Sequence, residues 1–133
     1  MLKCLSYCHS YLYADDIQLY YSFPRESFDE ALIKVNLDLE RLSGVSVNMC
    51  LKLNLNKTVA MLFERKQMRE QCKHSVHILL GDTEIPLSNE SRNLGLIIDT
   101  DLRFISQVNL LCKGTFPNIK LIYGCKEFLD IRA

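Results

Sequence analysis

An α+β fold is what this sequence predicts, from two observations. Short apolar runs bounded by turn residues recur along the chain, at 7–23, 51–63, 76–87 and 94–98. Two longer stretches carry apolar residues in steps of three and four, the period of a helix. The 133 residues suffice for about one domain. Lys+Arg and Asp+Glu are 16 each, which excludes a strongly basic or acidic tail. A hydrophobic fraction of 48% with 24% charged residues is the composition of an ordinary folded domain. No apolar run approaches the ~20 residues of a membrane-spanning helix, and no membrane partner is expected. The first residues lack the long apolar stretch of a secretory signal.

Residues 7–23 read as two β-runs around a polar tip. Tyr11, Leu12 and Tyr13 precede Asp15-Asp16, and Ile17, Leu19, Tyr20, Tyr21 and Phe23 follow. A tight hairpin is the natural reading, although the tip lacks the Asn-Gly or Asp-Gly of common two-residue turns. Ser27 and Glu30 have the spacing of a capping box. Phe28, Ala31, Leu32, Val35, Leu39 and Leu42 then form one apolar stripe. Asp38 falls on the polar side of that helix. Gly44 is expected to weaken or end it, leaving 45–50 as a further turn or a loop.

Leu51 to Leu55 alternates apolar and polar, as a half-buried strand does, and Thr58 to Phe63 reads as the next strand. Residues 64–73 hold four positive and two negative charges and read as a polar loop or exposed edge. Val76–Leu80 and Thr83–Leu87 read as strands around Gly81-Asp82. Leu94 to Ile98 reads as one more apolar strand. From Phe104 on, Phe104, Ile105, Val108, Leu111, Cys112 and Thr115 share a helical face, which Pro117 should break or kink. A last apolar stretch runs from Ile119 to Leu129.

The six cysteines, Cys4, Cys8, Cys50, Cys72, Cys112 and Cys125, contain no CxxC pair. They read as reduced thiols and mostly as small buried hydrophobes. Reduced thiols fit the cytosol and the nucleus equally. A zinc site around Cys72, His74 and His77 would need a second ligand pair. A polar loop leading into a strand is the better reading of that spacing.

The informative feature is Asp15-Asp16. Like charges so close repel, and a divalent cation removes that cost. Mg²⁺ takes carboxylate oxygens and fills its other positions with water or substrate phosphates. Two metals about 4 Å apart can hold the attacking and leaving oxygens of an in-line displacement. A bare Asp-Asp would be read as a solvated turn. Here it stands in Tyr11-Leu12-Tyr13-Ala14-Asp15-Asp16-Ile17-Gln18-Leu19-Tyr20, which resembles the tyrosine-x-aspartate-aspartate box of reverse transcriptases, in particular the Jockey-type non-LTR retrotransposon polymerases. Two further segments follow in that family's order. Leu51-Lys52-Leu53-Asn54-Leu55-Asn56-Lys57-Thr58 resembles its palm-lysine segment. Arg92-Asn93-Leu94-Gly95-Leu96-Ile97-Ile98-Asp99 resembles its primer grip.

The resemblance implies a partial polymerase palm over 1–73, a primer-grip-like β-ribbon over 74–100 and the start of a helical thumb over 101–133. It implies RNA-directed DNA synthesis, in which a primer 3′-hydroxyl attacks a deoxynucleotide with two Mg²⁺ ions (Mn²⁺ as a substitute). The partners would be an RNA template, a DNA primer and deoxynucleotides. Asp15 would ligate metal and Asp16 would support the same site. Tyr13 and Ala14 would lie beside the primer end and incoming nucleotide. Lys57 would stand near the triphosphate, and Leu94 and Gly95 would help hold the primer. Gly95 reads equally as a point of close backbone approach or as a strand glycine.

The sequence departs from the family in three ways. The family's first metal-binding aspartate and its fingers lie upstream of the hairpin, and only 14 residues precede Asp15. The tryptophan usual near the position of Val45 is missing, and no endonuclease segment is present. The isolated chain is therefore expected to lack polymerase activity. Other readings are a module that grips nucleic acid without chemistry, a protein-interaction fragment using its exposed sheet edge and helix stripe, including self-association through that edge, and a decayed copy with no selected function. Zero net charge weighs against the first.

Overall fold

The computed structural model describes residues 2–72 and 75–125. Helices and small antiparallel sheets alternate, an α+β mixture. The described residues divide into two compact units, with the boundary between Ser88 and Asn89.

The first unit opens with a hairpin of β1 (His9–Tyr13) and β2 (Asp16–Tyr20). Its register runs from His9 opposite Tyr20 to Tyr13 opposite Asp16. α1 (Phe28–Asn48) follows, then the seven-residue α2 (Lys66–Cys72). A second hairpin joins β3 (Leu79–Leu80) to β4 (Thr83–Glu84) around Gly81, whose φ is +62°. Leu39, Leu80 and Ile85 form the buried centre, and Leu19, Val35, Leu53, Ala60 and Ile78 pack against it. The expected helical stripe is thus the core face of α1; the second hairpin packs directly on it, and the first reaches the same centre through Leu19. Asn36 ties α1 to β3 at two points. Its Nδ2 donates to the His77 carbonyl and its Oδ1 accepts from the Leu79 N–H, each at 2.9 Å.

Asp38 overturns the expected polar face. Its side chain has 0% exposure. The carboxylate accepts the backbone N–H groups of Ser6, Tyr7 and Cys8 at 2.9, 2.7 and 2.7 Å. Arg41 Nη1 stands 3.1 Å away and also donates to Ser6 Oγ. Burial alone would push this carboxyl up. The N–H groups of Cys8, Ser6 and Tyr7, with Arg41, more than reverse that and hold it below the ordinary aspartate value. The same neighbourhood acts oppositely on Cys8. Burial, then the charge of Asp38 and a hydrogen bond to it, push the thiol up to about 11.

Other local expectations also change. The Ser27–Glu30 capping box does not form. Ser27 ends a 3₁₀ turn, its N–H donates to the Pro24 carbonyl, and Glu30 pairs with Lys34 at 2.7 Å. Gly44 does not end the helix, because the buried Leu42 and Ser46 keep that face packed. The helix ends four residues later. The Cys50 N–H donates to the Val47 carbonyl, the Leu51 N–H donates to the Ser46 carbonyl, and Cys50 has φ +55°. This is a Schellman ending with cysteine where glycine is usual.

Residues 51–55 and 58–63 form no strands. No neighbouring strand offers them a full ladder, so 55–57 close into a 3₁₀ turn and Ala60 alone bridges Leu87. The charged stretch expected as a loop contains α2, whose Arg69 is buried and donates to the Glu64 carbonyl. All six cysteines are free, but none is fully buried: Cys50 and Cys125 are exposed and the other four half-buried. Lys73 and His74, part of the weighed zinc spacing, lie outside the described residues.

The second unit pairs β5 (Glu90–Asn93) with β6 (Leu96–Asp99) and continues into α3 (Ile105–Gly124). The expected strand at 94–98 is thus half of a hairpin whose turn is Leu94-Gly95. The Asp99 carboxylate accepts from the N–H groups of Asp101, Arg103 and Phe104, shaping the entry to α3. Those bonds, Arg103's first, draw its carboxyl below the usual range. Pro117 does not break α3. Asn118 Nδ2 donates to the Gly114 carbonyl beside it, at 3.2 Å.

Three outcomes follow from these features. Asp38→Ala should lower unfolding stability by about 3 kcal/mol, because three part-buried N–H groups and Arg41 lose their charged acceptor. The folded carboxyl of Asp38 lies below the ~3.9 of an unfolded aspartate. Its contribution is therefore complete above pH ~4 and lost as pH falls through the depressed value. Wild type should lose stability over that acid window more steeply than Asp38→Ala, as measured by urea unfolding. Cys50→Gly should raise stability by about 1 kcal/mol by relieving the left-handed cysteine.

Candidate functional site

The hairpin tip is a two-residue turn of Ala14 and Asp15. Ala14 has φ +52°, while Asp15 has a negative φ. Positive φ at the first central residue alone is the φ pattern of a type II′ turn, where glycine is usual. This explains how the chain turns without Asn-Gly: alanine occupies a strained position. The turn presents Asp15 and then Asp16, the first residue of β2, on adjacent exposed positions.

The pleat sorts the remaining residues. Leu19, on one face of the hairpin, packs on the core. Asp16 shares the other face with its cross-strand partner Tyr13 and with Tyr11, Gln18, Tyr20 and His9. On that face Tyr20 stacks between His9 and Tyr11, with ring centroids 5.0 and 5.7 Å apart. The stack stiffens the exposed face, while Leu19 fixes the buried one. The tip is thus held from both sides, and its carboxylates stay in solvent.

Among the described residues, neither Asp15 nor Asp16 makes an ion pair or a side-chain hydrogen bond. Two adjacent oxygen donors of this kind fit Mg²⁺, which needs only one or two carboxylates beside water or phosphate. No group of three or more His, Cys, Asp or Glu gathers among the described residues, so the tip offers two protein carboxylates and no third.

Tyr13 and Ala14 lie at the tip with the aspartates. Lys57 does not join them by an ion pair. It is the exposed last residue of the 3₁₀ turn at Leu55–Lys57. Leu94 and Gly95 belong to the second unit, where φ values of +47° and +88° make them the two central residues of the β5–β6 turn. No atom lies within 4 Å of where a Gly95 Cβ would be, so its backbone conformation, not close approach, calls for glycine.

Sequence reasoning missed Asp38, which roots the hairpin. Helical spacing assigned it to a polar face, and no local signal announces three backbone donors from residues 6–8. No protein-family model, curated protein or solved structure matches the chain.

Ala14→Gly should stabilise the first unit by about 1 kcal/mol, read as a higher urea midpoint. Ala14→Val should lower it, since a β-branched residue is least tolerant of positive φ.

Proposed function

We propose that this chain carries the carboxylate hairpin of a reverse transcriptase palm of the non-LTR retrotransposon type, followed by primer-grip and thumb segments. The observation that carries the reading is the tip itself. A two-residue turn presents Asp15 and Asp16 at exposed positions, without competing partners among the described residues and beside Tyr13, within a string resembling that family's box. The order of the Lys57 and Leu94-Gly95 segments supports it.

In this reading Asp15 and Asp16 are the oxygen donors for Mg²⁺ or Mn²⁺. When bound, the metal supplies positive charge to the oxygens of an in-line phosphoryl displacement. The chain's own residues then have distinct tasks. The turn carries the two carboxylates on successive residues. Tyr13 borders the position of a primer end, with Ala14 at the nucleotide. Lys57 is the cation assigned to the triphosphate. Leu94-Gly95 turns the hairpin that grips the primer. RNA template, DNA primer and deoxynucleotides are the partners. The family's third carboxylate has no counterpart in these 133 residues, so this polypeptide alone is not expected to extend a primer.

Substoichiometric Mn²⁺ should broaden the NMR signals of residues 13–17 selectively, and Mg²⁺ should compete it away. Asp15→Asn with Asp16→Asn should reduce the affinity at least ~10-fold. Uniform broadening, or the same affinity in the double variant, would remove the metal-binding assignment. Primer extension by the 133-residue chain that vanishes on Asp15→Asn would overturn the expected inactivity.

A further inference from the structure

We propose that α3 is a dimerisation helix, occupied by α3 of a second copy of this chain. The inference is independent of the polymerase reading. None of the described side chains of α3 is buried. A helix that is largely apolar and has no buried residue is incomplete by itself.

The pattern of its exposed residues identifies the missing neighbour as another helix. Ile105, Cys112 and Ile119 recur every seven residues, and so do Val108, Thr115 and Ile122. Together they alternate in steps of three and four over 18 residues, the a and d positions of a helix–helix seam. Leu111, Phe116 and Tyr123 flank the seam at e and g positions. Ile105, Val108, Ile119 and Ile122 are 53%, 53%, 43% and 55% exposed, so no described residue of their own unit covers the seam. On the opposite side stand Ser106, Gln107, Lys113, Gly114, Pro117 and Lys120, with Leu110 and Leu121 the only large apolar residues there. Pro117 is therefore placed where its disturbance of the helix does not reach the seam.

Charge and area select a second copy. α3 has no acidic residue, and its two cations, Lys113 and Lys120, share an outward position. No a, d, e or g residue is charged, so two identical seams meet without like charges opposed. The seven large apolar side chains at these positions leave roughly 700 Å² per copy, close to the ~800 Å² each partner buries in an ordinary interface. A closed two-fold pair is also the commonest assembly of identical chains.

The test is the mass of the full 133-residue chain by light scattering across a concentration series, with reductant present. The expected species has twice the 15.4 kDa of one chain. Val108→Glu and Ile119→Glu should each raise the dimer dissociation constant at least ~30-fold, as for central interface residues. Leu110→Glu and Leu121→Glu, on the other side, should change it less than ~3-fold. All four positions are exposed, and circular dichroism should show unchanged helix content. A strict monomer at all concentrations overturns the proposal. So does a dimer that survives both seam substitutions, which would place self-association elsewhere, such as the open hairpin edge. Equal effects from both sides of the helix would also overturn it, as unspecific apolar association.

Discussion

The buried carboxylate of Asp38 is the constraint on which the first unit depends. A charge with no exposed surface is costly unless every acceptor position is used. Here three successive backbone N–H groups and one guanidinium use them. Because those N–H groups belong to residues 6–8, the contact fixes the point where the chain enters β1. Tyr7 is held at the same place from outside, with Lys34 and Arg41 of α1 at 5.8 and 5.6 Å from its ring. The root of the hairpin, and therefore the aim of its tip, is set by one side chain of α1. Leu19 then seats the hairpin on the apolar centre that also receives Leu80 and Ile85.

This division of labour leaves the tip free. The stabilising contacts sit at the root and on one face, while the acidic residues stand at the far end in solvent. A two-stranded ribbon alone is marginal in water. The Asp38 contacts at its root, Leu19 on the core and the His9–Tyr20–Tyr11 stack support this one. Cys8 belongs to the root as well, where burial and the neighbouring Asp38 charge push its thiol up.

The second unit is organised by a surface carboxylate instead. Asp99 ends β6 and gathers the N–H groups that lead into α3. One short side chain thereby turns a strand into a helix within a few residues. The helix it starts has the periodicity of a helix pair and no described partner for that face within its own unit.

Some of this was legible in the residues themselves. The α+β class, the hairpin around Asp15-Asp16, the stripe of α1, the Gly81 turn and the start of α3 all follow from periods of 2 and 3.6 and from turn chemistry, which are local properties. The acidic tip was legible because adjacent carboxylates between apolar runs are conspicuous. Tertiary structure decided the rest. Leu51–Leu55 and Thr58–Phe63 have strand-like sequences, but a strand exists only where a neighbour completes its hydrogen bonds. Gly44 and Pro117 are helix-weakening residues whose local cost the surrounding helix absorbs. Leu94 reads as a strand residue yet turns the β5–β6 hairpin. The burial of Asp38 depends on N–H groups some thirty positions away, a relation that no window along the chain contains.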